Sequence, residues 1–398
     1  MNTRNQMDLF LIAALRTPIG KFGGGLASLT AAQLGTAVAK ATIDRSGIDP
    51  AAIDEVIFGN ARQAGVGPNV ARQIAIRSGL QHEVPAYTVN QACGSGLRAI
   101  MNAADQIRLG QAKVVLVGGT ESMSNTPYLL PRARWGYRMG NDEVVDGMIR
   151  DGFMCPLADE MMGATAETLA DQYQITREEQ DRFAVESQVK AARAVEEARF
   201  ASEIIAVTVD GRKGPVIVDR DEHPRFDASL DSMAKLQPVF RKGGTVHAGN
   251  SSGVTDGAAS MLVASGVAVE RHGLKPMARL VGYAQAGVDP KVMGIGPVPA
   301  TRRLLEQIGM SLEEIDLIEL NEAFAAQVIA CDRELHFDRS KLNVHGGAIS
   351  LGHPIGCTGA RITTTLLHAL ETRGLRYGLA TLCISGGMGM SLIVERGG

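Results

Sequence analysis

Gly47-Ile-Asp-Pro-Ala-Ala-Ile53-Asp-Glu-Val-Ile57 and Gly309-Met-Ser-Leu-Glu-Glu-Ile315-Asp-Leu-Ile318 match at identical spacing, one in each half of the chain. In each copy a helical stretch comes first, Ala31 to Ser46 and Ala300 to Ile308. A short N-capped turn and then a strand rich in branched apolar residues follow. The echo predicts two halves that share one fold. Downstream, Ala86-Tyr-Thr-Val-Asn90 reads as a strand, Gln91 to Gly96 as a tight loop, Leu97 to Leu109 as a helix, and Ala112 to Val117 as a strand ending in Gly118-Gly119. The later half repeats that order: strand Leu342 to Val344, glycine-rich loop Gly346 to Gly359, helix Ala360 to Glu371, and strand Gly378 to Ile384 closed by Gly386-Gly387. Strands alternating with helices predict α/β halves with largely parallel pairing.

Between the halves, Glu121 to Gly249 has another texture, with Pro127, Pro131, Trp135, a Met cluster and one long helix to about Phe200. Thr176-Arg-Glu-Glu179 is a capping box that opens this helix. The stretch reads as an inserted loop domain, and its Met161-Met162 pair reads more readily as core than as a substrate contact. The expected domains are 1–120 plus 250–271, a loop domain 121–249, and 272–398.

A chain of 398 residues with 45% hydrophobic content can bury a large core that divides into two or three domains. The net charge of -3 comes from mixed charges, so nothing marks a nucleic-acid or anionic-membrane partner. No apolar run approaches the roughly 20 residues of a bilayer span, and Met1 to Pro18 lacks the pattern of a secretory leader. Cys93, Cys155, Cys331, Cys357 and Cys383 form no C-x-x-C pair, so a disulfide framework or zinc site is not expected and a reducing, cytoplasmic setting is.

Cys93, in Val89-Asn90-Gln-Ala-Cys93-Gly-Ser-Gly96, follows a strand and precedes a helix whose free N–H groups and dipole favour a thiolate. Its small neighbours leave room for a sharp turn beside a bulky acyl chain. By position alone, a buried inert thiol is an equal reading. His353 stands in the Gly-rich loop of Asn343-Val-His345-Gly-Gly-Ala-Ile-Ser-Leu-Gly352-His353-Pro354-Ile-Gly356, matched by the repeat to Cys93, and this favours a base over a structural histidine. Taken alone, Cys383 is a buried strand cysteine and Asn321-Glu322 an ordinary helix cap.

Together Asn90 to Gly96, Asn321 to Ala325, Asn343 to Gly356 and Cys383 to Gly389 resemble the thiolase family, with supporting likeness along nearly the whole chain. These include Arg16-Thr-Pro18, Gly118-Gly-Thr-Glu-Ser-Met123, Gly249-Asn250-Ser-Ser-Gly253 and Gly294-Ile-Gly296-Pro297. The resemblance implies a duplicated thiolase fold, layered α-β-α-β-α, each half a mixed sheet between helices. It also implies that Cys93 carries the acyl group, His353 activates it and Cys383 moves the α-carbon proton. Asn321 would hold a water that, with His353, binds the thioester oxygen, while the N–H groups of Cys93 and Ser385 bind the oxygen of the acyl enzyme. Ser252 and Arg225 match CoA contacts, and Met162 and Phe324 match the acyl pocket.

The implied activity is reversible condensation of two acetyl-CoA to acetoacetyl-CoA and CoA. Coenzyme A enters as substrate and product; no metal or other cofactor is expected, and a homodimer or homotetramer is. The alternatives are a degradative thiolase for longer 3-ketoacyl-CoA, and more remotely a ketoacyl synthase or a non-catalytic acyl-CoA-binding scaffold. Three positions depart from the family pattern: Ser385 for a glycine, which bears on that oxyanion donor, His345 for an asparagine, and Met161 for a histidine.

Overall fold

Alternate side chains of one ten-stranded sheet point into different cores in the computed structural model, which describes residues 8–397. Met1–Met7, part of the opening segment read for a leader, lie outside the described residues. The strands are β1 (Leu9–Arg16), β2 (Glu55–Gly59), β3 (Ala86–Val89), β4 (Val114–Ser122), β5 (Thr255–Ser265), β6 (Pro276–Gly287), β7 (Leu317–Leu320), β8 (Tyr377–Ile384) and β9 (Met388–Glu395). Their order is β7-β8-β9-β6-β1-β5-β4-β2-β3, with the two-residue strand Gly20–Lys21 beside β5.

The internal echo is visible in this order. Outward from β1 the pairings run antiparallel, antiparallel, parallel, parallel. Outward from β6 they run antiparallel, antiparallel, parallel, and then an isolated parallel bridge from Ile318 to Leu342. The half-sheets join through a short β1–β6 ladder, Phe10 with Arg279, Leu11 with Ala278 and Ile12 with Pro276. Largely parallel pairing, the expectation from the alternation of elements, is therefore overturned. Long β5 and β9 insert antiparallel beside the crossover strands, a pairing that periodicity does not reveal.

The helices of eleven residues or more are α1 (Ala31–Ser46), α2 (Ser95–Arg108), α3 (Met162–Gln172), α4 (Arg177–Glu196), α5 (Pro297–Ile308), α6 (Ala325–Leu335) and α7 (Thr358–Arg373). Val56, Phe58, Val114 and Leu116 face an outer core with α1, whereas Ile57, Val115 and Val117 face a central one. In the other half, Ala380 and Leu382 share that central core while Leu379 and Ile393 face a third, closed by α5 and α6. The central layer is α2 against α7. Thr358 to Leu370 of α7 are all buried, and the hydroxyls of Thr363 and Thr364 donate back to the carbonyls of Gly359 (2.8 Å) and Ala360 (3.0 Å), so their burial leaves no open donor.

Leu342 to Val344 is not a strand. Asn343 takes φ 44°, and its amide side chain accepts from Leu320 N (2.9 Å) and donates to Leu320 O (2.9 Å), standing in for a ladder. The loop after it holds a one-turn helix, Ala348–Leu351. The long helix of the intervening stretch opens on the Thr176 capping box as expected but ends at Glu196. That stretch is tied to β1 by Arg16, wholly buried, whose guanidinium donates to Glu203 (2.6 Å) and to Asp221 (2.7 and 2.9 Å).

The small residues after Cys93 serve packing rather than acyl-chain room. A Cβ at Gly96 would sit 2.8 Å from Ala360 N and 3.1 Å from Gly356 O, and one at Gly94 would meet Ile384 at 2.6 Å. Gly359 touches the Leu97 backbone from the other side. The starts of α2 and α7 thus meet backbone to backbone. Gly96→Ala is expected to force them apart and cost about 1–3 kcal/mol by chemical denaturation, as overpacking does; an unchanged midpoint would contradict this contact.

Candidate active site

Cys93 lies where β3 turns into α2. Ala92 takes φ 46°, a conformation costly for any residue with a Cβ, and side chains on both sides hold it there. Asn90 Oδ1 accepts from Ala92 N (3.0 Å), and Ser95 Oγ accepts from Gln91 N (2.9 Å) while donating to Ala92 O (2.7 Å). The turn so fixed leaves Cys93 half-buried on the wall of a cavity of about 50 Å³. His353 and Cys383 line the same cavity, with Ser385, Ser252, Met162 and Phe324. Residues read separately from three distant segments therefore converge.

His353 is buried, and burial pushes its pKa down to about 3, aided by the charges of Arg361 and Arg62. The ring is neutral near pH 7. Its Nδ1 is 2.6 Å from Thr358 Oγ1, and that hydroxyl donates to Pro354 O at 3.0 Å. With the hydroxyl proton committed to the carbonyl, Nδ1 carries the ring hydrogen and Nε2 is left as a lone-pair acceptor. Burial raises the Cys93 thiol, while the Ser385 backbone N–H and the Arg62 charge act to lower it. Burial raises Cys383 well above the ordinary thiol value, with the Cys93 sulfur adding to the rise. At rest the three groups are two thiols and a neutral imidazole.

Ser385, the departure from glycine, avoids positive φ; Gly386 (87°) and Gly387 (86°) make the turn instead. The serine is therefore carried without backbone strain, and its N–H acts to lower the Cys93 thiol. Asn321 does not line the cavity: its side chain is wholly buried and neither of its polar atoms has a protein partner. Met162, Ser252 and Phe324 also line a wider cavity of about 600 Å³ that reaches exposed Arg225 and half-buried His223 and Phe240. Met161 lines it too, so the Met pair is wall rather than plain core. His345 lies elsewhere, buried edge-on to Phe200 with ring centroids 5.8 Å apart, and burial pushes it down to about 4.

Three contributors escaped the sequence reading. Thr358 fixes the imidazole. Glu121, buried, accepts from Asn60 Nδ2 (2.7 Å), Ala61 N (3.1 Å), Arg62 N (3.0 Å) and Gly356 N (2.8 Å), binding the loop after β2 to the loop of His353. Arg62 itself is on the cavity wall. The available signal was its place just past the carboxyl end of β2, where ligands gather in α/β sheets.

Comparison with known proteins gives a consistent answer over the whole chain. Residues 9–266 match the family model of the thiolase N-terminal domain, and residues 274–396 that of the thiolase C-terminal domain. The chain is 52% identical over 392 residues to the acetyl-CoA acetyltransferase of Syntrophomonas wolfei, covering 98% of this chain and 99% of that one. It is 50% identical over 387 residues to that of Escherichia coli, covering 97% and 98%. The crystal structure of the Bacillus anthracis acetyl-CoA acetyltransferase superposes with TM-score 0.96 at 47% identity, covering 98% of this chain and 100% of that one. Human mitochondrial 3-ketoacyl-CoA thiolase in complex with CoA gives TM-score 0.94 at 42% identity, covering 98% and 99%.

Thr358→Val keeps the shape but removes the acceptor for the Nδ1 hydrogen of His353. The expected result is loss of the single ring tautomer, read from ¹⁵N histidine shifts, with a stability loss of about 1–3 kcal/mol for the unpaired buried donor. Unaltered shifts would refute the assigned tautomer.

Proposed function

This chain belongs to the thiolase family and is an acyltransferase, and on that premise we propose that it joins two acetyl-CoA reversibly into acetoacetyl-CoA and CoA. The observation that carries the reading is the meeting of Cys93, His353 and Cys383 on one small cavity. Its volume of about 50 Å³ suits a two-carbon acyl group better than a long chain.

The Cys93 sulfur attacks the thioester carbonyl of the first acetyl-CoA as its proton passes to Nε2 of His353, and the departing CoA sulfur takes the proton of Cys383, which is left as the thiolate. Sulfur attack on a thioester makes another thioester of similar energy, so the step runs both ways. The oxyanion sits between the N–H groups of Cys93 and Ser385. The Cys383 thiolate then removes the α-carbon proton of a second acetyl-CoA. The carbanion attacks the acyl carbon to form the new carbon–carbon bond as the bond to the Cys93 sulfur breaks, and that sulfur takes its proton back from His353. While it holds the Cys93 proton, His353 Nε2 donates, with a water held by Asn321, to the enolate oxygen. CoA lies along the wider cavity, its pantetheine past Ser252 and its adenine end toward Arg225, while Met162 and Phe324 bound the acyl group.

The setting inferred is the bacterial-type cytoplasm, consistent with five free cysteines. Among the described residues no helix is long and apolar enough to cross a membrane. A homodimer or homotetramer is also inferred: β3 is a sheet edge of half-buried residues, and Trp135 (84% exposed) and Met139 (96% exposed) stand out from the segment after β4.

Cys93→Ala should yield no adduct by intact mass spectrometry after mixing with acetyl-CoA, and Cys383→Ser should be acetylated yet condense at least about 100-fold more slowly, the usual scale for a lost acid–base group. A persistent adduct in the first variant, or full condensation in the second, would reject these roles. Turnover of acetoacetyl-CoA should exceed that of long-chain 3-ketoacyl-CoA. Because His353 stays neutral until pH falls toward about 3, acylation rates should show no break near pH 6.5. A break there would mean that the ring titrates as an ordinary histidine.

A further inference from the structure

Among the described residues, Arg62 is the only charged side chain on the wall of the small cavity. It is 6% exposed, and its Nη1 donates to Asp151 O at 3.2 Å. Its Nε and Nη2 donors are buried without an acceptor. Among the described residues no carboxylate pairs with it; the oxygens of Glu121 are taken by Asn60 Nδ2, Gly356 N, Ala61 N and the backbone N–H of Arg62 itself. The guanidinium is also held in place. Its centre lies 5.9 Å from the Phe153 ring centroid, and a Cβ at Gly152 would collide with it, so the 149–153 segment lies directly against it.

A buried cation with two open donors is costly, and an acceptor that enters the cavity relieves the cost. The group that enters is the acyl chain carried on Cys93. We propose that Arg62 is a specificity-determining residue, and that the cavity takes short acyl groups bearing an oxygen acceptor beyond the thioester carbonyl, a hydroxyl or carboxylate, in preference to aliphatic acyl groups of the same size. This rests on Cys93 carrying the acyl group. Phe153, Met162, Met293 and Phe324 on the same walls are apolar; Ser252 and Ser385 bring hydroxyls, but the two open charged donors are those of Arg62. An aliphatic group there leaves the guanidinium unpaired, and a site built to hydrogen-bond a substrate oxygen discriminates strongly against the analogue lacking it. The covalent step is that of acetyl transfer: the Cys93 sulfur bonds the acyl carbon as its proton passes to His353, the bond to the CoA sulfur breaks, and CoA leaves as the thiol with the proton from Cys383.

Glycolyl-CoA and propionyl-CoA form the matched pair, since one replaces the terminal methyl of the other with a hydroxyl. The full-length enzyme is given both at equal concentration with acetyl-CoA, and the two mixed 3-ketoacyl-CoA products are counted by mass spectrometry. The wild type should favour the glycolyl product by at least about tenfold. Arg62→Leu should reverse the preference, and Arg62→Lys should retain part of it. A wild-type ratio at or below one, or the same ratio in Arg62→Leu, overturns the proposal; the latter is also the outcome if Arg62 binds only the thioester carbonyl. Intact mass of acylated Arg62→Leu shows that the site still forms. Acetoacetyl-CoA made in the same tubes, and labelling of Cys93, report separately on the parent reading.

Discussion

The site depends on two helix starts being close enough for backbone to touch backbone. Gly96 of α2 faces Gly356, Cys357 and Ala360 at the start of α7, and Gly359 faces Leu97 in return. Cys93 sits two residues before α2 and His353 five before α7, so this contact sets the distance between sulfur and ring. Any Cβ on those glycines would widen it. The central helix layer is thus the gauge that brings one residue from each half of the duplicated fold to one cavity.

Around that contact the charges are arranged to keep the working groups neutral at rest. Burial raises the thiols of Cys93 and Cys383 and lowers the imidazole of His353, so none holds a charge in a dry pocket until a substrate arrives. Charge is confined to groups that brace the walls. Glu121 is spent on four donors from two loops. Arg62 is the exception, a cation on the wall with donors in reserve.

The segment between the halves supplies the rest of the enclosure. The 149–153 turn covers Arg62, and α3 begins at Met162 on the boundary between the narrow cavity and the wider one. Its anchor to the sheet is the buried Arg16 with Glu203 and Asp221, where removing one partner would strand a charge. That arrangement fixes the cover relative to β1, and so relative to Cys93, His353 and Cys383.

The sequence by itself determined the duplication, through the Gly47 and Gly309 echo, and the family, through Cys93, His353, Cys383 and their neighbours. It also determined the caps and periodicities, as at Thr176, because these are local interactions among residues a few positions apart. Strand direction was not legible, since β5 and β9 come from remote positions and their pairing is set by partners. Nor was the false strand at Leu342, where one amide side chain replaces a ladder. Tertiary structure alone decided which hydroxyl holds the imidazole, that Ser385 needs no left-handed backbone, and that Arg62 reaches the cavity. Each depends on groups brought together by packing across two cores, and such distances are not written in the order of residues.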